Sequence, residues 1–181
     1  FFSSHLPGFI EQTLEELAKR TGRRYDLVSN HSLDDAQLVL VAQGAAVETA
    51  QAIADWLRRE RKKKVGVMGI HCLRPFPGAR VAELLRGKQT VAALERVDAP
   101  LAGESPLLRE LRAVADRACE NGRFGAETHS GYPAWNDIDR ERPRFHSVPY
   151  GLGGHPLRGA DLVLACSELG TKGRSQIYLG V

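Results

Sequence analysis

The sequence predicts an α/β protein of three layers, with helices on both faces of a mostly parallel sheet. Three features lead there. The runs at 37–44, 65–70 and 89–96 are short and apolar throughout rather than alternating, as strands buried on both faces are. The segments between them repeat their apolar residues at helical spacing. Glycine and proline fall at the junctions, as in QGAA and RPFPG, where a chain leaving a strand must turn.

The length of 181 residues suits one domain of ordinary size, which buries roughly 70% of the surface its unfolded chain exposes. Hydrophobic residues make up 43% and charged residues 26%, close to globular averages, which excludes fibrous, collagenous and wholly disordered classes. There is no internal repeat and no low-complexity segment.

Along the chain, Phe9, Ile10, Leu14, Leu17 and Ala18 share one face of a helix over 6–20, which Thr21-Gly22 stops. The polar stretch 23–36, with Tyr25, Leu27 and Val28 as its apolar piece, is a connector with room for a short strand. Residues 1–36 are thus expected to be a linker helix and connector, and 37–181 the α/β domain proper. The strand 37–44 leads into a helix over 45–62, with Val47, Ala50, Ile53 or Ala54, and Leu57 inward. A strand at 65–70, a turn and short helix over 74–87, and a strand at 89–96 continue the alternation. The next helix, 105–122, buries Leu107 or Leu108, Leu111, Val114 or Ala115, and Ala118, with Ser105 as its expected cap and Gly122 as its stop. Residues 123–143 have no period, and are expected to form a long ordered loop or an excursion onto a neighbour. Strand-like residues at 144–151, a modest helix over 155–169 and a final strand at 175–181 complete the chain.

The net charge of +3 comes mostly from RRERKKK at 58–64. Those cations follow one helix to its carboxyl end, where they complement the dipole, and no aromatic lies among them. A solvated helix face is therefore expected, not a nucleic-acid surface. The three cysteines, Cys72, Cys119 and Cys166, are far apart and form no CxxC, and the six histidines are scattered, so neither a disulfide framework nor a metal site is spelled out. A reducing compartment follows. No stretch reaches the roughly 18 apolar residues of a membrane helix and no secretory leader opens the chain, so a cytoplasmic protein is expected. The chain opens without methionine and stops on strand-like residues, as a cut-out domain would.

No self-contained active site is legible. There is no GxGxxG, no GxxxxGK[ST] and no GxSxG, and Asp34, Asp35, Glu95 and Asp98 have no acid/base spacing. Three places stand out. Gly44 ends a strand and opens a helix whose amino terminus can face an anion. Arg74 precedes a proline, which holds it extended beyond the strand at 65–70, at the sheet edge where open parallel sheets meet ligands and partners. PYGLGG sets Tyr150 beside Gly151, Leu152 and Gly153, where glycine allows close backbone approach and an aromatic ring awaits cover.

Together and in this order these stretches resemble the transketolase C-terminal-type domain of the thiamine diphosphate-dependent 2-oxoacid oxidoreductases, the pyruvate:ferredoxin and pyruvate:flavodoxin enzymes, which implies a fold of that type. Gly44, Glu48-Thr49, Val65-Gly66 and Arg74-Pro75-Phe76 match the family's strand, turn, helix start, second strand and Arg-Pro-Phe phrase. The stretch from Ala18 to Tyr25 is similar to the end of its linker helix, Glu95-Arg96 to its acidic-Arg strand end, and Tyr150 to Gly153 to its Gly-Arg-Tyr-Gly-Leu-Gly phrase. Val148-Pro149 departs from that phrase, and 123–142 lies outside the resemblance.

The resemblance implies a whole enzyme that decarboxylates pyruvate or another 2-oxoacid on thiamine diphosphate with magnesium. It also implies electron transfer through iron–sulfur clusters to ferredoxin or flavodoxin, acyl transfer to coenzyme A, and a homodimer. This chain lacks the Gly-Asp-Gly motif and any cluster-binding cysteine run, so it is expected to bind none of these cofactors itself. Its implied role is structural: Arg74, Pro75, Phe76, Glu95, Arg96, Tyr150, Gly151, Leu152 and Gly153 contact other domains, with Arg74 paired to a carboxylate across that contact. The alternative is a stand-alone module binding an anion at Gly44. Nucleic acid and membrane are not expected partners.

Overall fold

A computed structural model of the protein describes residues 2–99, 101–125, 127–169 and 174–180. Five strands form one sheet: β1 (Val28–His31), β2 (Leu38–Ala42), β3 (Val65–Ile70), β4 (Thr90–Glu95) and β5 (Arg144–Pro149). Their order is β1-β3-β2-β4-β5, with β1 antiparallel to β3 and every other neighbour parallel. The helices are α1 (Phe2–Thr21), α2 (Ala46–Arg61), α3 (Gly78–Leu85), α4 (Pro106–Phe124), α5 (Ile138–Glu141) and α6 (Gly159–Glu168).

The continuous apolar strands are buried on both faces because side chains alternate across the sheet. Val39, Val41, Met68, Ile70, Val91, Ala93 and Phe145 face α3 and α4. Leu40, Ala42, Val65, Val67, Ala92, Leu94 and Val148 face α2 and α6. This is the expected three-layer architecture. Both residues of each alternative pair on α4 are buried, and on α2 Ala54 is buried while Ile53 is only partly covered.

Several boundaries differ from expectation for physical reasons. The helix α1 starts at Phe2 rather than at residue 6 and carries Pro7 inside it. None of its described side chains is fully buried; Phe9 is 67% exposed. The connector supplies β1, which joins the sheet edge through the pairs Val28↔Ile70 and His31↔Val67. Gly122 does not stop α4; the backbone of Trp135 lies directly against it, in space a side chain would fill, and the helix runs on to a cap at Gly125. The final strand is absent among the described residues: 174–180 run beside β5 with only the bridges Ser147↔Gln176 and Tyr150↔Leu179.

The aperiodic 123–143 segment folds back on its own domain. Asn121, 1% exposed, uses its amide to donate to the carbonyls of His129 and Tyr132 and to accept from the N–H of His129. Trp135 is fully buried in the α3/α4 core, and its backbone N–H donates to Ala118 O at 2.9 Å. The basic run is likewise tied down: Arg58 donates to Val65 O, Ser32 O and Asp35, Lys63 donates to Cys166 O, and Arg61 lies over the Trp56 ring. Its last members leave the helix, which ends at a left-handed Lys62.

Candidate interdomain face at the carboxyl edge of the sheet

The four parallel strands end on one side of the domain. Their last pairs are Ala42↔Gly69, Val41↔Ala93 and Glu95↔Pro149. Just past the strand ends come His71, Gly44, Arg96 and Tyr150, one after each strand, and three strand spacings make this edge about 14 Å wide. All the residues singled out in the sequence lie at these strand ends or in the loops that follow them.

Beyond β3 the chain makes a tight corner in which Cys72 Sγ donates to Pro75 O at 3.3 Å and the Arg74–Pro75 peptide is cis. Phe76 turns inward and packs, half-buried, on the α3/α4 core. Arg74 turns outward with 72% of its side chain exposed, and its Nη2 lies 2.8 Å from Glu110 Oε1 of α4. The carboxylate anticipated across an interface therefore has a counterpart inside the domain. A pair this exposed contributes at most about 1 kcal/mol to stability, so it leaves the guanidinium available to a further acceptor.

Beyond β4 the chain does the opposite. Glu95 is 7% exposed, and its carboxylate accepts the N–H of Leu107 at 2.6 Å, the N–H of Leu108 at 3.2 Å and the hydroxyl of Ser105. These are the orphan donors at the start of α4, whose positive dipole end favours a negative charge. Ser105, the expected cap, makes no side-chain cap bond to the helix and instead helps hold Glu95. Arg96, the next residue, is exposed.

Beyond β5, the N–H of Tyr150 donates to Glu95 O at 2.9 Å, so the ladder continues one residue past the strand. The ring packs, partly buried, on the α2/α6 core; burial pushes its phenol pKa up, and the charge of Arg96 acts against that rise. Gly151 has φ +69, the left-handed region that favours glycine, and a Cβ there would stand 2.9 Å from Arg96 Nε. The arginine stem is therefore seated on the glycine backbone. Leu152 is half-buried and Gly153, also left-handed, is exposed.

At the end of β2, Gly44 is exposed with φ +57 and accepts the N–H of Val47. The first turn of α2 carries an exposed Glu48, whose negative charge already complements the dipole end and disfavours a second anion there.

Among the described residues the donor set does not fit the inorganic cofactors that the resemblance implies. Among the described residues no three of His, Cys, Asp and Glu come together as a metal site. A cluster of the ferredoxin type takes four thiolates. Here Cys119 and Cys166 lie in opposite cores, burial pushes the Cys166 thiol up to about 12, and Cys72 is engaged at its own corner.

Sequence reasoning missed Glu110, the inward turn of Glu95 and the anchoring role of Asn121. Only Glu95 left a trace: an acid closing an apolar strand ten residues before a Ser-Pro helix start, where a buried carboxylate can stand in for the cap.

The fold and edge define an α/β domain with a developed carboxyl rim. Residues 36–127 match the family described as pyruvate:ferredoxin oxidoreductase core domain II. The chain belongs to that family. It is 29% identical over 153 residues to the pyruvate synthase subunit PorA of Thermotoga maritima, covering 82% of this chain and 33% of that protein. It is 30% identical over 158 residues to a probable pyruvate-flavodoxin oxidoreductase of Escherichia coli, covering 86% of this chain and 12% of that protein. To the pyruvate-flavodoxin oxidoreductase of Klebsiella pneumoniae it is 32% identical over 112 residues, covering 61% of this chain and 10% of that protein. The chain thus spans between a tenth and a third of the length of these relatives. The reading as a stand-alone anion-binding module is not favoured by these matches, and Glu48 stands against it.

Proposed function

We propose that this domain is an assembly module of a pyruvate-oxidising enzyme, in which the carboxyl edge of the sheet is covered by the parts of the enzyme that hold the cofactors. Thiamine diphosphate with magnesium stabilises the carbanion of the reaction and iron–sulfur clusters carry its electrons, and both are held outside this chain. Coenzyme A is a substrate of the whole enzyme, and ferredoxin or flavodoxin receives the electrons. The whole enzyme is a cytoplasmic homodimer. Among the described residues no helix is long and apolar enough to cross a membrane. Arg58 and Lys63 are already bonded within the domain, which supports reading the basic run as a structural face and not as a nucleic-acid surface.

The observation behind this reading is the composition of the edge. Leu73, Val97 and Leu101 are 47%, 38% and 102% exposed beside Arg74 and Arg96. Exposed apolar residues set among arginines are typical of interface anchors. Phe76, Tyr150 and the Gly151–Gly153 turn shape the rim, while Glu95 serves it from inside by fixing α4.

The test is Arg74→Ala in the full-length enzyme, with pyruvate-dependent acceptor reduction and oligomeric size both measured. The proposal expects a loss in at least one. If both stay at the wild-type level, Arg74 has no role in assembly.

A further inference from the structure

We propose that Arg96 is the edge's anchor for a carboxylate on the surface that covers it. This deepens the assembly reading and rests on it. Three observations support the assignment. Arg96 is exposed and has no acidic partner among the described residues, whereas the arginine at the neighbouring corner, Arg74, has Glu110, and the adjacent Glu95 is committed to α4. Arg96 is nonetheless held in place: its stem lies on Gly151, where a Cβ would come within 2.9 Å of Nε, and its charge is felt by the Tyr150 phenol. A guanidinium with its stem seated and its fork open loses less freedom on pairing than a free side chain, and its planar donors match a carboxylate.

The flanking residues say which acceptor this is. Val97 follows Arg96 directly, Leu101 is fully exposed in the next loop, and Leu73 is half-exposed in the corner beyond β3, whose strand lies two places from β4 in the sheet. An apolar rim around one open guanidinium complements a protein surface bearing an Asp or Glu among apolar residues. A free phosphate would leave that rim uncovered.

The experiment uses the full-length enzyme. Native enzyme is treated with phenylglyoxal and the modification of each arginine is followed by peptide mass spectrometry, with Arg123 at the far end of α4 as the exposed reference. Arg96 is expected to react about tenfold more slowly than Arg123, and to recover full reactivity in urea. Equal rates overturn the proposal, and so does shielding that appears only when coenzyme A or thiamine diphosphate is added. Hydroxyl-radical oxidation of Leu73, Val97 and Leu101 on the same sample separates the two readings. If they are protected while Arg96 reacts freely, the assembly role stands and the anchor fails; if they are oxidised as well, both fail. Shielding without a carboxylate is tested by charge. Arg96→Glu is expected to raise oxidation of Val97 several-fold while Arg96→Lys preserves most of its protection. Unchanged protection in Arg96→Glu contradicts the pairing.

Discussion

The ends of β3 and β4 lie two strands apart on one edge, and each sets a charged residue against α4, yet the two corners do different work. At the β3 corner Arg74 meets Glu110 in solvent, with 72% and 31% of the two side chains exposed. At the β4 corner Glu95 is 7% exposed and gathers three donors at the start of the same helix. Removing a partner in water costs little because water replaces it, whereas removing a buried acceptor orphans every donor it served. Burial, not charge, separates a residue that builds the domain from one free to meet a partner.

The largest effect that sharpens this contrast belongs to Glu95→Ala. It is expected to destabilise the domain by about 3 kcal/mol in urea unfolding, through lost capping and orphaned N–H groups, with Glu95→Gln costing distinctly less. A change under about 1 kcal/mol would erase the distinction between the corners. Next comes Gly151→Ala, expected to cost about 1–2 kcal/mol by placing a side chain at a left-handed position and against the Arg96 stem. Then a double-mutant cycle on Arg74 and Glu110, each to Ala, is expected to return a coupling below about 1 kcal/mol.

The smallest effect concerns the far end of β5. His146 is 7% exposed and its Nδ1–H donates to Arg174 O at 2.9 Å; burial holds its pKa below the ordinary 6.5, with Arg144 and Arg112 adding to the fall. The unfolded chain then binds a proton that the folded chain refuses. Stability from this group is complete above pH 6.5 and is lost as pH falls below it towards the depressed folded value. Urea unfolding from pH 7.5 to 5 is expected to show that decline in the wild type and a flatter profile in His146→Leu.

The central strands and α2, α3 and α4 were legible because their burial pattern is written locally, as apolar runs and helical stripes. What was not legible depends on partners distant in the chain. The piece LVSNH is too polar to announce β1, and becomes a strand because β3 offers it an edge. SQIYLGV has strand composition, but its described residues make only two bridges, to β5 and its neighbour Tyr150. Ser105 has the right identity for a cap and is displaced by Glu95, ten residues away, whose charge answers the helix dipole better than a hydroxyl. The turn-rich 123–143 segment gives no periodic sign that Trp135 is core, since Asn121 fixes it through single hydrogen bonds. At the rim, residue identities pointed to the right corners, while the direction each side chain takes emerged only with the neighbouring elements in place.

The most direct test of the central claim is an experimental structure of the full-length enzyme that contains this domain. The account predicts that Leu73, Arg74, Arg96 and Val97 lie within contact distance of other parts of the enzyme, with Glu95 still bonded to the start of α4. A carboxyl edge open to solvent in the assembled enzyme would contradict it.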